Sequence, residues 1–169
     1  MPKKTTAASV ALVKTVDHIG LFFAGYGQFN YDATSEVWTE YRRMVQHFGW
    51  QPKGRRENTA NNRFRAALVQ QFGQLYGTDE SKLETLQRLC EKLELYPVPA
   101  SVTACKKAIK KVHVNIIDFI DSERTGEPVH KFRSVRQLAQ YTQDNDKFFP
   151  KKQAKKNNLL RFLLRGLLG

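Results

Sequence analysis

Apolar residues recur every three or four positions along most of this chain, in stretches that close at glycine or proline. That spacing gathers them on one face of an α-helix but scatters them over both faces of a strand, so it selects helices packed on helices. Val37, Trp38, Tyr41, Val45 and Phe48 make one stripe, with Ser35 placed to cap its helix and Gly49 to end it. Phe64, Leu68, Phe72 and Leu75 make a second, predicted over 59–76 and stopped by Gly77. Leu83, Leu86, Cys90 and Leu93 make a third, starting near Asp79, where Ser81 and Glu84 have capping-box spacing.

Pro97 and Pro99 then force an extended link. Ser101 is placed to cap a fourth helix, with Val102, Cys105, Ile109, Val112, Ile116 and Ile120 as its stripe. The run VHVNIIDFI inside it is β-branched enough for a strand, but the period continues through it and favours one unbroken helix. Residues 122–132, with Gly126 and Pro128, read as a loop or short ribbon. Ser134 and Gln137 have capping-box spacing and open a short helix to about Thr142, which Asp144, Asn145 and Asp146 interrupt. A last helix is predicted over 151–168. Residues 19–33 read as an irregular, aromatic-rich lead-in and 1–18 as a flexible basic tail. The expected architecture is a mainly α, single-domain bundle of five to six helices over 19–168. Its expected core holds Trp38, Phe64, Leu68, Phe72, Leu86, Cys90, Ile109, Ile116 and Leu163.

Charge speaks about partners rather than fold. The net charge is +12, and residues 131–169 supply +8 of it, with ten basic and two acidic side chains. Such an asymmetry points to a polyanion: nucleic acid first, an anionic membrane surface second. In the predicted last helix, Lys151, Lys155, Arg161 and Arg165 share one face at 100° per residue, and Lys152 and Lys156 extend the basic run. Leu159, Leu160, Leu163, Leu164 and Leu167 cover the other side. The helix can dock on the core with a solvated basic face, grip phosphates, or lie on a membrane or in a partner's groove. Asn157, Asn158 and Gly166 lower its intrinsic propensity and favour docking.

A second basic element is the predicted loop with Lys53, Arg55 and Arg56, continuing to Arg63 and Arg65. Trp50 stands at its entrance and Phe64 is interleaved, a composition that suits phosphate contact and base stacking on single strands. Trp50 follows a helix-ending glycine, however, where an apolar residue packs back on its helix, so it is expected in the core. Lys106, Lys107, Lys110 and Lys111 form a third element, read as a solvated helix face. The helix that a helix-turn-helix would insert into DNA, about 79–95, is net negative and is not expected to read DNA.

Other classes lack their signatures. Cys90 and Cys105 cannot build a disulfide framework and read as core. No run approaches the ~18 apolar residues of a membrane span. His18, His47, His113 and His130 show no metal-site spacing, and no phosphate-cradling glycine loop occurs. Asp118, Asp121 and Glu123 form a small acidic cluster, either a solvated helix end or a Mg²⁺ site for a nuclease. No cofactor is expected. Lys3, Lys4 and Lys14, without an acid in the first 16 residues, resemble a transit peptide, although arginine is missing. The expected function is non-enzymatic contact with nucleic-acid phosphates, with little base specificity. The alternative is a protein–protein interaction module; a membrane-surface binder and a metal-dependent nuclease rank lower. The expected compartment is intracellular, nuclear or cytoplasmic, with the mitochondrion a minor alternative.

Certain motifs also carry a resemblance: Phe29-Asn30-Tyr31-Asp32, Gly49-Trp50, Tyr76-Gly77, Pro97-Val98-Pro99, His113-Val114-Asn115, Thr125-Gly126-Glu127-Pro128-Val129 and Phe148-Phe149-Pro150. In these the chain resembles, over roughly residues 22–168, a group of small fungal helical proteins with no assigned activity. The resemblance implies a fungal, intracellular, mainly helical protein, and it transfers no active site.

Overall fold

The structure is a computed structural model that describes residues 15–165, the side chain of Arg165 excepted. Among the described residues it is mainly helical, with the elements α1 (His18–Ala24), α2 (Val37–His47), α3 (Arg55–Tyr76), α4 (Leu83–Lys92), α5 (Val102–Ile109), α6 (Ile116–Thr125), α7 (Val135–Asp144), α8 (Lys151–Ala154) and α9 (Asn158–Arg165). The predicted tail falls largely outside the described residues, as do Gly166, Leu167 and Leu168 of the predicted last helix. No described helix is long and apolar enough to cross a membrane.

The fold is organised on α3, whose 22 residues span about 33 Å at 1.5 Å per residue. Helices α1, α4, α6 and α8 pack on it. Its inner face carries Phe64, Leu68 and Phe72, all fully buried. Around Phe64 gather Phe22 and Phe23 from α1 and Trp38 and Tyr41 from α2, with the Tyr41 ring stacked at 4.5 Å. Eight of the nine expected core residues are buried. Leu163 is only half-buried, because Leu159, Leu160, Phe162 and Leu164 take the inner side of α9.

The predicted helix end at Gly49 forms as expected. Gly49 adopts φ +60° and donates to the Gln46 carbonyl, while the Trp50 N–H reaches back to Val45 at 3.1 Å. This folds the half-buried Trp50 ring onto Phe48, where the two stack at 5.0 Å. The same paired bonds end α4 at Glu94 and α7 at Asp146, both left-handed at φ +54° although neither is glycine.

Two expected caps are replaced. The Ser35 hydroxyl donates to Asp32, and the first N–H of α2, at Val37, is taken instead by the Asp121 carboxylate of α6 at 3.0 Å. The Ser81 hydroxyl donates to Asp79, and α4 starts after Lys82 without a side-chain cap. Ser101 and Ser134 do cap, accepting from the N–H groups of Ala104 and Gln137.

Three further corrections explain why nine helices stand among the described residues where five to six were expected. The lead-in is not wholly irregular: Asp17 caps α1, and Ile19, Phe22 and Phe23 bury its inner face. The predicted fourth helix breaks at Val112–Val114. There the His113 carbonyl accepts from the Phe132 N–H at 2.8 Å in an isolated antiparallel bridge. Asn115 then restarts a helix by accepting from Ile117 and Asp118. The predicted last helix breaks at Asn157. Its buried side chain accepts from Leu160 N–H at 3.0 Å, capping α9, and donates to the Gly77 carbonyl. Asparagine offers the backbone an alternative to the helix, which is why both breaks fall where they do.

Cys90 and Cys105 are buried and unbridged. Burial, and then the neighbouring Cys105, push the Cys90 thiol up to about 12. The native protein is therefore expected to resist thiol reagents at pH 8 and to label at both cysteines only in denaturant. Rapid labelling under native conditions would contradict this packing.

Candidate nucleic-acid interface

Helix α3 starts earlier than expected, so Arg55 and Arg56 are not in a loop: they occupy its first turn, after Gly54. Lys53 precedes them in a turn at φ +61°, and all three cations are exposed. No side chain caps this helix start. Its free N–H groups and the helix dipole add positive potential to the arginines. Two arginines there oppose the dipole at a cost of roughly 0.3–1 kcal/mol each.

Farther along α3, the basic residues flank its outer ridge. Arg63 is exposed and lines a cleft with Leu21 and Tyr26 of the α1 region. Arg65 lies on the other flank, half-buried, bonded to the Asn61 side chain and donating to the Phe148 carbonyl at 3.2 Å. Phe64 between them points inward and is fully buried. It offers no ring to a ligand.

The C-terminal basic run lies beside α3. The Arg65 bond fixes Phe148, the Gln153 amide donates to Asn62, Asn157 donates to Gly77, and the Leu159 N–H donates to Thr78. Residues 148–159 thus lie alongside α3, touching it at Arg65 and Asn62 and meeting the chain just past its end at Gly77 and Thr78. Lys151, Lys152, Lys155 and Lys156 are exposed along this path. The predicted single face of Lys151, Lys155, Arg161 and Arg165 does not form, because the Asn157 break separates Lys155 from α9. Arg161 is exposed on α9, and the Arg165 side chain lies outside the described residues. Phe162 of α9 carries Lys106 and Lys110 of α5 within 5.4 and 5.7 Å of its ring. Helix α9, which carries Arg161, therefore lies beside α5.

None of Lys53, Arg55, Arg56, Arg63, Arg65, Lys151, Lys152, Lys155, Lys156 and Arg161 is ion-paired with a described residue. Lys147 is different. Its ammonium is buried against Glu36, Asp118 at 2.8 Å and the Tyr141 hydroxyl at 3.0 Å. Lys131 is bridged to Glu94. Two of the ten C-terminal cations are thus neutralised internally.

The residues of the acidic cluster each take their own protein partners. Asp118 holds Lys147, and Asp121 holds Val37 N–H and Arg124 at 3.1 Å. Glu123 accepts from the Tyr76 hydroxyl at 2.6 Å and faces Lys92. Arg124 in turn donates to the carbonyls of Ala33 and Ser35, which binds the loop before α2 to α6. Burial raises the Asp121 carboxyl above the ordinary carboxylate range, against the lowering effect of Val37 and Arg124. Asp118 and Asp121 line an open cleft of about 440 Å³ together with His130, not His113. Both oxygens of Asp121 and the Oδ1 of Asp118 accept from protein donors. Among the described residues no group of three or more His, Cys, Asp or Glu is placed to hold a metal.

The apolar side of α9 is buried, with Leu159 and Leu160 fully inaccessible, so the described part of the C-terminal segment docks on the core. Compared with protein-family models, with curated proteins and with solved structures, the chain has no match.

Proposed function

We propose that this chain is a single helical domain that binds nucleic acid through its phosphates, without catalysing a reaction and with little base specificity. The carrying observation is the course of residues 148–159 along α3, held by the Arg65, Gln153 and Asn157 bonds. It sets the lysine run against the helix that carries Arg55, Arg56, Arg63 and Arg65, which supports reading them as one basic surface. Their cations have no acidic partner among the described residues. Cations left without internal partners are the ones available to displace counterions from a polyanion. The uncapped α3 N-terminus beneath Arg55 and Arg56 adds to the attraction. A membrane role has less support, because Leu159, Leu160 and Leu164, which it would insert, are in the core.

Affinity should fall steeply with salt, by about 0.7–0.9 log units per log unit of salt for each phosphate neutralised. Changing Lys151, Lys152, Lys155 and Lys156 to Gln is expected to weaken binding evenly across sequences and to flatten that slope by about 3. The fold should persist, since all four side chains are exposed. The measurement is fluorescence anisotropy over a salt series. No retention of single- or double-stranded nucleic acid at micromolar protein in about 150 mM salt, near physiological ionic strength, would overturn the proposal and favour a protein-interaction module.

A further inference from the structure

Phe148 is 47% exposed, and among the described residues it is the one phenylalanine in the exposed class. Its frame is rigid. Asp146 closes α7 in the left-handed conformation, and the Lys147 N–H bonds back to Thr142 at 3.0 Å. The Lys147 ammonium is then buried among Glu36, Asp118 and Tyr141, and its carbonyl accepts from Asn115 at 3.0 Å. The Phe148 carbonyl is held by Arg65. With Lys147 anchored inward, the ring of Phe148 is turned to solvent by the backbone on both sides of it.

The ring borders a groove of about 270 Å³ walled by Val135, Leu138, Phe149 and Leu164. Thr142 and Gln143 give the groove a polar edge, and Lys151 stands on its rim. No acidic residue lines it among the described residues. The next cation, Lys152, is exposed and has no acidic partner among the described residues. An apolar slot beside unpaired cations fits a ligand that joins flat apolar faces to negative charge. Unpaired bases on a phosphate backbone have this chemistry, whereas a duplex hides its base faces in its own stack. We infer that the substrate class is single-stranded nucleic acid, with a base stacked on Phe148 at the mouth of this groove and the flanking phosphates on Lys151 and Lys152. This rests on the phosphate-binding proposal and narrows it.

Three labelled probes separate the two ideas: a mixed-sequence single strand, the duplex of the same sequence, and an abasic single strand of equal length. Phe148→Ala is expected to weaken single-strand binding by about 5- to 150-fold, the range for loss of one stacked base. It should leave the abasic and duplex affinities unchanged, and Phe148→Trp should keep single-strand binding. The ring is on the surface, so an unchanged circular dichroism spectrum is expected for both variants. Equal losses on all three probes, no loss on the single strand, or equal wild-type affinity for abasic and base-bearing strands would each overturn the stacking assignment while leaving phosphate binding intact. Failure of the wild type to retain any probe would instead remove the phosphate-binding proposal, and the stacking assignment with it.

Discussion

Phe64→Ala is expected to lower folding stability by about 3–5 kcal/mol, the range for truncating a fully buried aromatic ring. Its ring is 0% exposed and contacts rings from two other helices. Phe22 of α1 lies at 5.3 Å, Trp38 and Tyr41 of α2 at 5.9 and 4.5 Å. Those helices are tied elsewhere, α1 to α3 through the His18 N–H bond to Gln71 and α2 to α6 through Asp121, which opposes their closing over the space left behind. The stacked Tyr41 pair adds about 0.5–1.5 kcal/mol beyond the area buried. Against a typical total of about 5–15 kcal/mol, this is a large share. Urea titration should show a lower midpoint with an unchanged slope, and Phe64→Leu should lose clearly less. A loss under about 1 kcal/mol would mean that α1, α2 and α3 do not meet at this ring.

The helical stripes were legible because each is a local pattern with its own stop. Gly49, Gly77, Ser101 and Ser134 act within a few residues of where they stand, and each does what its position implies. What escaped the sequence was set by distant partners. The N-terminus of α2 is satisfied by Asp121, 84 residues away, so no local rule points to it. The break between α5 and α6 left no mark on the apolar period, because Ile109, Ile116 and Ile120 are buried on both sides of the interruption. The informative residues were Asn115 and Asn157, where a side chain competes with the helix for backbone N–H groups. The propensity penalty of Asn157 and Asn158 pointed toward docking of the last segment, and its described part does dock.

The sign of the charge was readable from composition, but the accounting of partners was not. Lys147 and Lys151 look alike in sequence, yet one is buried between carboxylates and the other is exposed. The aromatic residues beside basic runs behave likewise. Trp50 packs back on its helix and Phe64 is interior, while Phe148, just before the last basic run, is the exposed ring. A Phe-Phe pair between a helix end and a lysine run carries a weak signal for this: in an extended link, neighbouring side chains point opposite ways, so one ring of such a pair faces out.

Lys147→Met is expected to destabilise the fold by about 3 kcal/mol at pH 7, the lower end of the range for breaking a buried ion pair. The lower end applies because the Glu36 side chain is 44% exposed and water screens part of its interaction, whereas Asp118 is only 17% exposed. Methionine fills the channel of the lysine stem but leaves the Asp118 carboxylate without its counter-charge. The pH dependence tests the cause. Burial would lower the Lys147 ammonium, but the hydrogen bonds it donates to Asp118, Glu36 and Tyr141 outweigh it and hold the group above the ordinary lysine range. A raised folded value means that its stabilisation is fully present below the unfolded lysine pKa of about 10.4 and is lost as pH rises through the folded value. Burial likewise pushes Glu36 up, but bonds from Lys147 and Thr39 outweigh it and leave its carboxyl below the ordinary range. That contribution is present above the unfolded glutamate pKa of about 4.3 and is lost as pH falls through the folded value. The gap between wild type and Lys147→Met should therefore form a plateau between about pH 5 and 10 and narrow on both sides. Adding Asp118→Leu should recover part of the loss, since an apolar pair replaces a stranded charge. A gap independent of pH, or one below about 1 kcal/mol, would show that packing rather than charge holds this junction. Because the same junction fixes the backbone of Phe148, Lys147→Met should also weaken single-strand binding while leaving duplex binding to the surface lysines intact.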